Sequence, residues 1–182
     1  MNNLMISRRK FLQTASMVAA AVSVLPGINA FSGVLTEDSR MTDLERQVFG
    51  KMLQIALPTD GSSLVAPSSL PVQPTLEQAL LAGMAPHIRQ GLRGGIGYFN
   101  EGPVEQFGGT FVELNDADAS RFVDQWADSN EVPQRALAMG LKKLTVLAYW
   151  AIPDTWAPLG YDGPVSDKWN LPSLGNTPEP QA

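Results

Sequence analysis

From Met41 to Pro153 apolar residues recur at helical spacing, and proline- and glycine-rich stretches break the pattern into segments. A helix is predicted to start at Thr42, where Glu45 three residues on completes a capping box. Its buried face is Leu44, Val48, Met52 and Ile55, and Pro58 closes it. The seventeen residues from Pro58 to Pro74, with four prolines and four serines, read as a long loop. Loops of that length in compact domains are commonly functional or packed on a partner. A second helix is expected after Thr75, with Gln78 as capping partner and Leu76, Ala79, Leu80 and Met84 along it. Pro86 opens a third helix through Ile88, Leu92 and Ile96. Its glycines at 91, 94, 95 and 97 predict irregularity or close helix approach. "GTFVEL" at 109–114 reads as a short strand or hairpin fragment. Asn115 then caps a helix with Phe122, Val123 and Trp126 on its apolar face. The last long helix is expected from Pro133, with Leu137, Leu141, Leu144, Leu147 and Ala148 facing inward.

This pattern predicts a mostly α fold, about five helices around one core. Residues 31–41 are a polar, flexible lead-in, and 152–182 form an extended tail of a single domain spanning 31–182. At 182 residues and 44% apolar content the chain is long enough for one real core. No internal repeat is present.

The segment before the helices carries a different message. Arg8, Arg9 and Lys10 precede twelve small, weakly apolar residues (Thr14 to Leu25), followed by Pro26, Gly27 and a small residue at Ala30. That is the layout of a secretory signal. A twelve-residue helix is roughly 18 Å long at ~1.5 Å per residue, too short for a ~30 Å hydrocarbon core. Ser7, Arg8, Arg9, Phe11 and Leu12 match the twin-arginine export motif. Residues 1–30 are therefore expected to be an export signal cleaved after Ala30, delivering the chain to the periplasm.

Charge and cysteine count narrow the chemistry. The net charge is −5, and without the three N-terminal cations ten basic residues face eighteen acidic ones, a charge of −8. Nucleic acids and anionic membrane surfaces are unsuitable partners for such a chain. With no cysteine there is no disulfide, thiolate nucleophile, thiolate-bound iron–sulfur cluster or covalently attached haem. His87 is the single histidine, so neither a triad nor a ligand cluster can be built around several imidazoles. "GLRGGIGYF" at 91–99 lacks the preceding strand that a phosphate-binding loop needs. A calcium loop starting at Asp116 would need glycine and glutamate where Arg121 and Ala127 stand. Asp116 and Asp118 instead suit the first turn of a helix. No carboxylate pair is singled out for glycoside chemistry, and no metal or cofactor is expected in this chain. The export route serves proteins that fold before transit, so a chain without a cofactor site needs another reason to use it.

The C-terminal stretch concentrates Tyr149, Trp150, Trp156, Tyr161 and Trp169 among prolines. Tyr149 and Trp150 end a helix and suit core or partner equally. Trp156, Tyr161 and Trp169 lie in irregular, proline-stiffened chain and favour a partner, since large aromatics are the preferred anchors of interfaces.

The twin-arginine segment, "LQIALPTD" at 53–60 and above all "AYWAIPDTWAPLGYDGPV" at 148–165 resemble the gluconate 2-dehydrogenase subunit 3 family. The loop from Ser62 to Pro74 departs from that pattern, being longer and poorer in glycine. The resemblance implies a small subunit of a multi-subunit flavin dehydrogenase for sugars, sugar acids or polyols. It implies a large partner that holds FAD and does the chemistry, with this chain as non-catalytic escort through the twin-arginine route. A cytochrome subunit, where present, takes the electrons and holds the complex at the membrane. On that reading Tyr149, Trp150, Trp156, Tyr161 and Trp169 are interface residues. The alternative is a stand-alone periplasmic enzyme or binding protein.

Overall fold

A computed structural model describes residues 40–171, and among them there are seven α-helical segments and no strand. Five are substantial: α1 (Asp43–Ala56), α2 (Val72–Thr75) continuing without a break as a π-helix over Leu76–Leu81, α3 (Pro86–Glu101), α5 (Asp116–Ala127) and α6 (Val132–Trp150). Two single turns, α4 (Val104–Phe107) and α7 (Val165–Lys168), complete them. The expected mostly α architecture of about five helices around one core is what the chain adopts. The export-signal residues Ser7, Arg8, Arg9, Phe11, Leu12 and Ala30 lie outside the described residues, as do 172–182 of the tail.

Capping chemistry sets the ends of α1 and α5. The Thr42 hydroxyl accepts from the Glu45 N–H at 3.2 Å while Glu45 Oε2 accepts from the Thr42 N–H at 2.7 Å. Asn115 Oδ1 accepts from the Asp118 N–H at 2.9 Å. Prolines stand in the first turns of α3 and α6, where a missing N–H costs nothing. Helix α6 is the hub and packs against α1, α3 and α5. Its inner residues Leu137, Leu141, Leu144 and Ala148 are all buried, as are Val48 and Met52 of α1 and Leu92 and Ile96 of α3.

At one end of the bundle the core is aromatic. Phe99 lies 4.8 Å from Phe111 and 5.1 Å from Phe122, which lies 4.8 Å from Trp126, all centroid to centroid. Offset and edge contacts of this kind add about 0.5–1.5 kcal/mol per pair beyond burial. Gly102, just past α3, makes room for them: a Cβ there would sit 2.4 Å from Trp126 Cζ2.

Several expectations are corrected. The second helix starts at Val72 rather than after Thr75, because Val72 is buried and Pro74 falls in the first turn where it is tolerated. Thr75 Oγ1 donates back to the Pro71 carbonyl at 2.8 Å instead of capping, and Gln78 is exposed. The long loop accordingly ends early and contains a 3₁₀ turn at Pro67–Ser69. The stretch at 109–114 is no strand. Thr110 and Glu113 form a reciprocal capping box around a 3₁₀ turn that drives Phe111 into the aromatic cluster. Met41, expected in a flexible lead-in, is buried, and its N–H donates to Glu77 Oε1. The glycines of α3 leave that helix regular and serve close approach at Gly95, where a Cβ would come within 2.7 Å of Leu137 Cδ2.

Candidate functional site

The C-terminal aromatics divide into an inner and an outer set. Tyr149, at the end of α6, is fully buried, and its phenol donates to the Val65 carbonyl at 2.7 Å. Burial pushes that phenol above its usual pKa. The ring therefore belongs to the chain's own core and pins the loop between α1 and α2. Trp150 meets it edge-on at 4.8 Å and is half-buried against the core. Of the two, Tyr149 lies wholly within the core and presents no surface to a partner, while Trp150 packs on the core and keeps part of its surface exposed.

Beyond α6 the chain turns back on itself. Ile152 and Thr155 are buried, and Thr155 Oγ1 donates to the Ile152 carbonyl at 2.7 Å, closing a 3₁₀ turn at Pro153–Thr155. Trp156 is half-buried, and its indole N–H donates to the Trp150 carbonyl at 2.8 Å, satisfying an orphan acceptor at the end of α6. A second 3₁₀ turn, Ala157–Leu159, brings the Tyr161 ring edge-on to Trp156 at 5.2 Å. The backbone at Gly163 has φ of 102°, which only glycine adopts without strain, and the residue is buried against the Trp156 ring.

The outer set starts here. Tyr161 is 47% exposed and Trp169 is 71% exposed, with Leu159, Val165 and Leu171 also exposed around them. Val165 and Trp169 are four residues apart, and the Trp169 N–H donates to the Val165 carbonyl at 3.0 Å. The two side chains thus share one side of the α7 turn. Lys168 Nζ bonds Asp162 Oδ1, tying α7 to the turn that carries Tyr161. That hydrogen bond holds the Asp162 carboxyl below its usual pKa. These exposed apolar residues are interspersed along the chain with exposed carboxylates at Asp154, Asp162 and Asp167.

The loop between α1 and α2, the other candidate contact segment, is exposed at Asp60–Ser63 and held at its far end by Gln73, whose amide donates to the Arg46 carbonyl at 3.1 Å.

A second cluster is one the sequence pattern does not predict. Glu45 and Arg89, forty-four residues apart, are both buried and form a bidentate pair, with Arg89 Nη2 to Glu45 Oε2 at 2.9 Å and Nη1 to Oε1. Arg93 Nε lies 3.8 Å from Glu45 Oε2. Arg89 and Arg93 both donate to the Arg40 carbonyl, at 3.2 and 2.8 Å. Burial alone would raise the Glu45 carboxyl, but hydrogen bonds from Arg89 and Thr42 outweigh it and hold the group below its usual pKa. The cluster clamps the chain where the described domain begins. Nothing in the local pattern around Glu45 announces it beyond the capping box.

Elsewhere the chemistry is sparse. His87 is exposed in the first turn of α3. An open depression of about 400 Å³ is lined by residues that include Phe107, Glu113, Asn115 and Asp118. The Glu113 carboxyl there is engaged by the Thr110 hydroxyl and N–H, which hold it below its usual pKa. Among the described residues no group of three potential ligands could hold a metal ion, and no helix is long and apolar enough to cross a membrane. Comparison with known proteins returns no matching family model, no matching curated protein and no matching solved structure.

Proposed function

We propose that this chain is the non-catalytic small subunit of a periplasmic FAD-dependent dehydrogenase acting on a sugar, sugar acid or polyol. It binds and stabilises the flavin subunit in the cytoplasm and carries it, folded, through the twin-arginine route. The observation that carries the reading is the pair of exposed aromatics at the C-terminal end of the domain, Tyr161 within the segment where the family resemblance is most specific and Trp169 four residues beyond it. Three further features support it. Ser7, Arg8, Arg9, Phe11 and Leu12 spell the export motif of folded cargo. The absence of cysteine from the sequence leaves the chain without a thiol or thiolate-bound redox centre of its own. The acidic balance turns the chain away from nucleic acid and anionic lipid. The FAD belongs to the partner. A cytochrome subunit, where the complex has one, receives the electrons and associates the assembly with the membrane.

Escort through a membrane requires a complex that outlives transit, hence slow dissociation and a substantial interface. The test is a pull-down of the tagged chain from cells that retain the neighbouring genes, with an absorbance spectrum of the captured material. A large yellow protein with flavin bands is expected. Changing Arg8 and Arg9 to Lys should then leave both proteins in the cytoplasm. A chain recovered alone and colourless refutes the reading and favours a stand-alone periplasmic enzyme or binding protein.

A further inference from the structure

Residues 157–171 stand out in how little of them is covered. All but Pro158, Gly163 and Pro164 are exposed, although the segment contains Leu159, Tyr161, Val165, Trp169 and Leu171. Such residues exposed together mark an interaction surface. The segment is nevertheless shaped rather than slack. The Trp156 indole bonds Trp150, Gly163 packs on the Trp156 ring, Lys168 pairs with Asp162, and the Leu171 N–H donates to the Ser166 carbonyl at 2.8 Å. An arm preshaped on its own chain loses less entropy on docking than a loose one.

The charges along the segment say what can cover it. Asp162 and Asp167 lie within the segment and Asp154 three residues before it, all exposed, Lys168 is the single cation of the segment and is already paired with Asp162, and no other basic residue lies between Trp150 and Leu171. A second copy of the same arm would bring carboxylates against carboxylates, and an anionic bilayer would repel the same carboxylates.

Resting on the function proposed above, we infer that residues 157–171 are the docking arm, and that its occupant is a groove on the flavin subunit with an apolar floor and a rim of Arg or Lys side chains. Trp169 and Tyr161 are the anchors, and Asp154 and Asp167 meet the basic rim.

The test uses the full tagged chain, co-produced with the neighbouring genes, and reads captured flavin per captured chain. The variants are Tyr161→Ala/Trp169→Ala and, separately, Asp154→Lys/Asp167→Lys. Asp154, Asp167 and Trp169 are exposed and Tyr161 keeps one ring contact, to Trp156, so the melting temperature of the purified chain should be unchanged by the charge reversals and by Trp169→Ala alone, and fall only slightly in the aromatic pair. The aromatic pair should lower apparent affinity by roughly tenfold or more, as loss of interface anchors does. The charge-reversal pair should weaken capture and remove the decline seen when salt rises from about 0.05 to 0.5 M, a range over which screening of a charged rim is strong. Undiminished flavin capture by both variants overturns the arm while leaving the proposed function intact. Capture of no flavoprotein by the unaltered chain overturns both. Two further results would also overturn the assignment: flotation with phosphatidylglycerol vesicles, or self-association, that the Trp169 change abolishes.

Discussion

The Glu45–Arg89 pair allows a prediction with a definite sign. Arg89→Met keeps the length of the side chain and removes the charge, leaving the buried Glu45 carboxylate with the Thr42 N–H and with Arg93 at 3.8 Å. Breaking one side of a buried ion pair costs about 3–5 kcal/mol, because the remaining charge is left desolvated. At about 3–4 °C per kcal/mol for a domain of this size, the melting temperature at pH 7 should fall by roughly 10–20 °C. The double variant Glu45→Gln/Arg89→Met removes the stranded charge, and its introduced amide oxygen can still accept from the Thr42 N–H, so part of that loss should be recovered. The pH dependence is a second signature. In the unaltered protein the Glu45 pKa is depressed in the folded state, so its contribution is present above the unfolded value of about 4.3 and is lost as pH falls through the lower folded value. In Arg89→Met the hydrogen bonds and charge of Arg89 are gone while burial, the largest influence on the carboxyl, remains, so the folded pKa should rise above its value in the unaltered protein. The penalty is then full at neutral pH and relieved as the carboxyl protonates. Thermal melts of the three proteins between pH 7 and 4 should therefore show the gap between wild type and Arg89→Met narrowing with acid. A double variant no more stable than Arg89→Met, with a gap independent of pH, would refute the argument.

Two further predictions concern packing. Gly102→Ala places a Cβ 2.4 Å from Trp126 Cζ2 and 2.9 Å from Phe122 Cζ, both on rings already wedged among others. It should cost about 1–3 kcal/mol in a denaturant titration, whereas Gly94→Ala, in open space on the same stretch of chain, should stabilise by about 0.5–1 kcal/mol. Equal effects at the two sites would deny the close approach at Gly102. Tyr149→Phe removes the hydrogen bond to the Val65 carbonyl. It should cost about 1 kcal/mol and raise amide exchange within residues 60–70, while exchange in α6 up to Leu144 stays unchanged.

Helix identity is legible because it is local. Thr42 with Glu45, Asn115 with Asp118, and the prolines opening α3 and α6 set helix starts within a turn, and their apolar faces are the faces that are buried. The misreadings share a cause: a local signal overruled by contacts from elsewhere. Thr75 and Gln78 have the spacing of a capping box, but burial of Val72 starts the helix earlier and turns the Thr75 hydroxyl back to Pro71. The β-favouring run Thr110-Phe111-Val112 has no neighbouring strand. The reciprocal Thr110–Glu113 bonds and the pull of the aromatic cluster on Phe111 make it a 3₁₀ turn.

The candidate site shows the same division more sharply. Trp156 and Trp169 look alike in the sequence, each a tryptophan in proline-rich chain, and both read there as partner anchors. Trp156 has a carbonyl at the end of α6 within reach of its indole N–H and a buried glycine, Gly163, whose positive φ folds the chain back against the ring. Trp169 sits on a helix of a single turn, too short to bring a second apolar row over it, and the nearest anchor is a salt link one residue away that leaves the indole in solvent. Tyr149 is ambiguous in the sequence for a related reason. Its acceptor, the Val65 carbonyl, lies eighty-four residues upstream in a loop that carries no helical signal. A side chain's type says that it will seek cover. Only the path of the backbone decides whether its own chain provides it, and for Tyr161 and Trp169 the path runs away from the core.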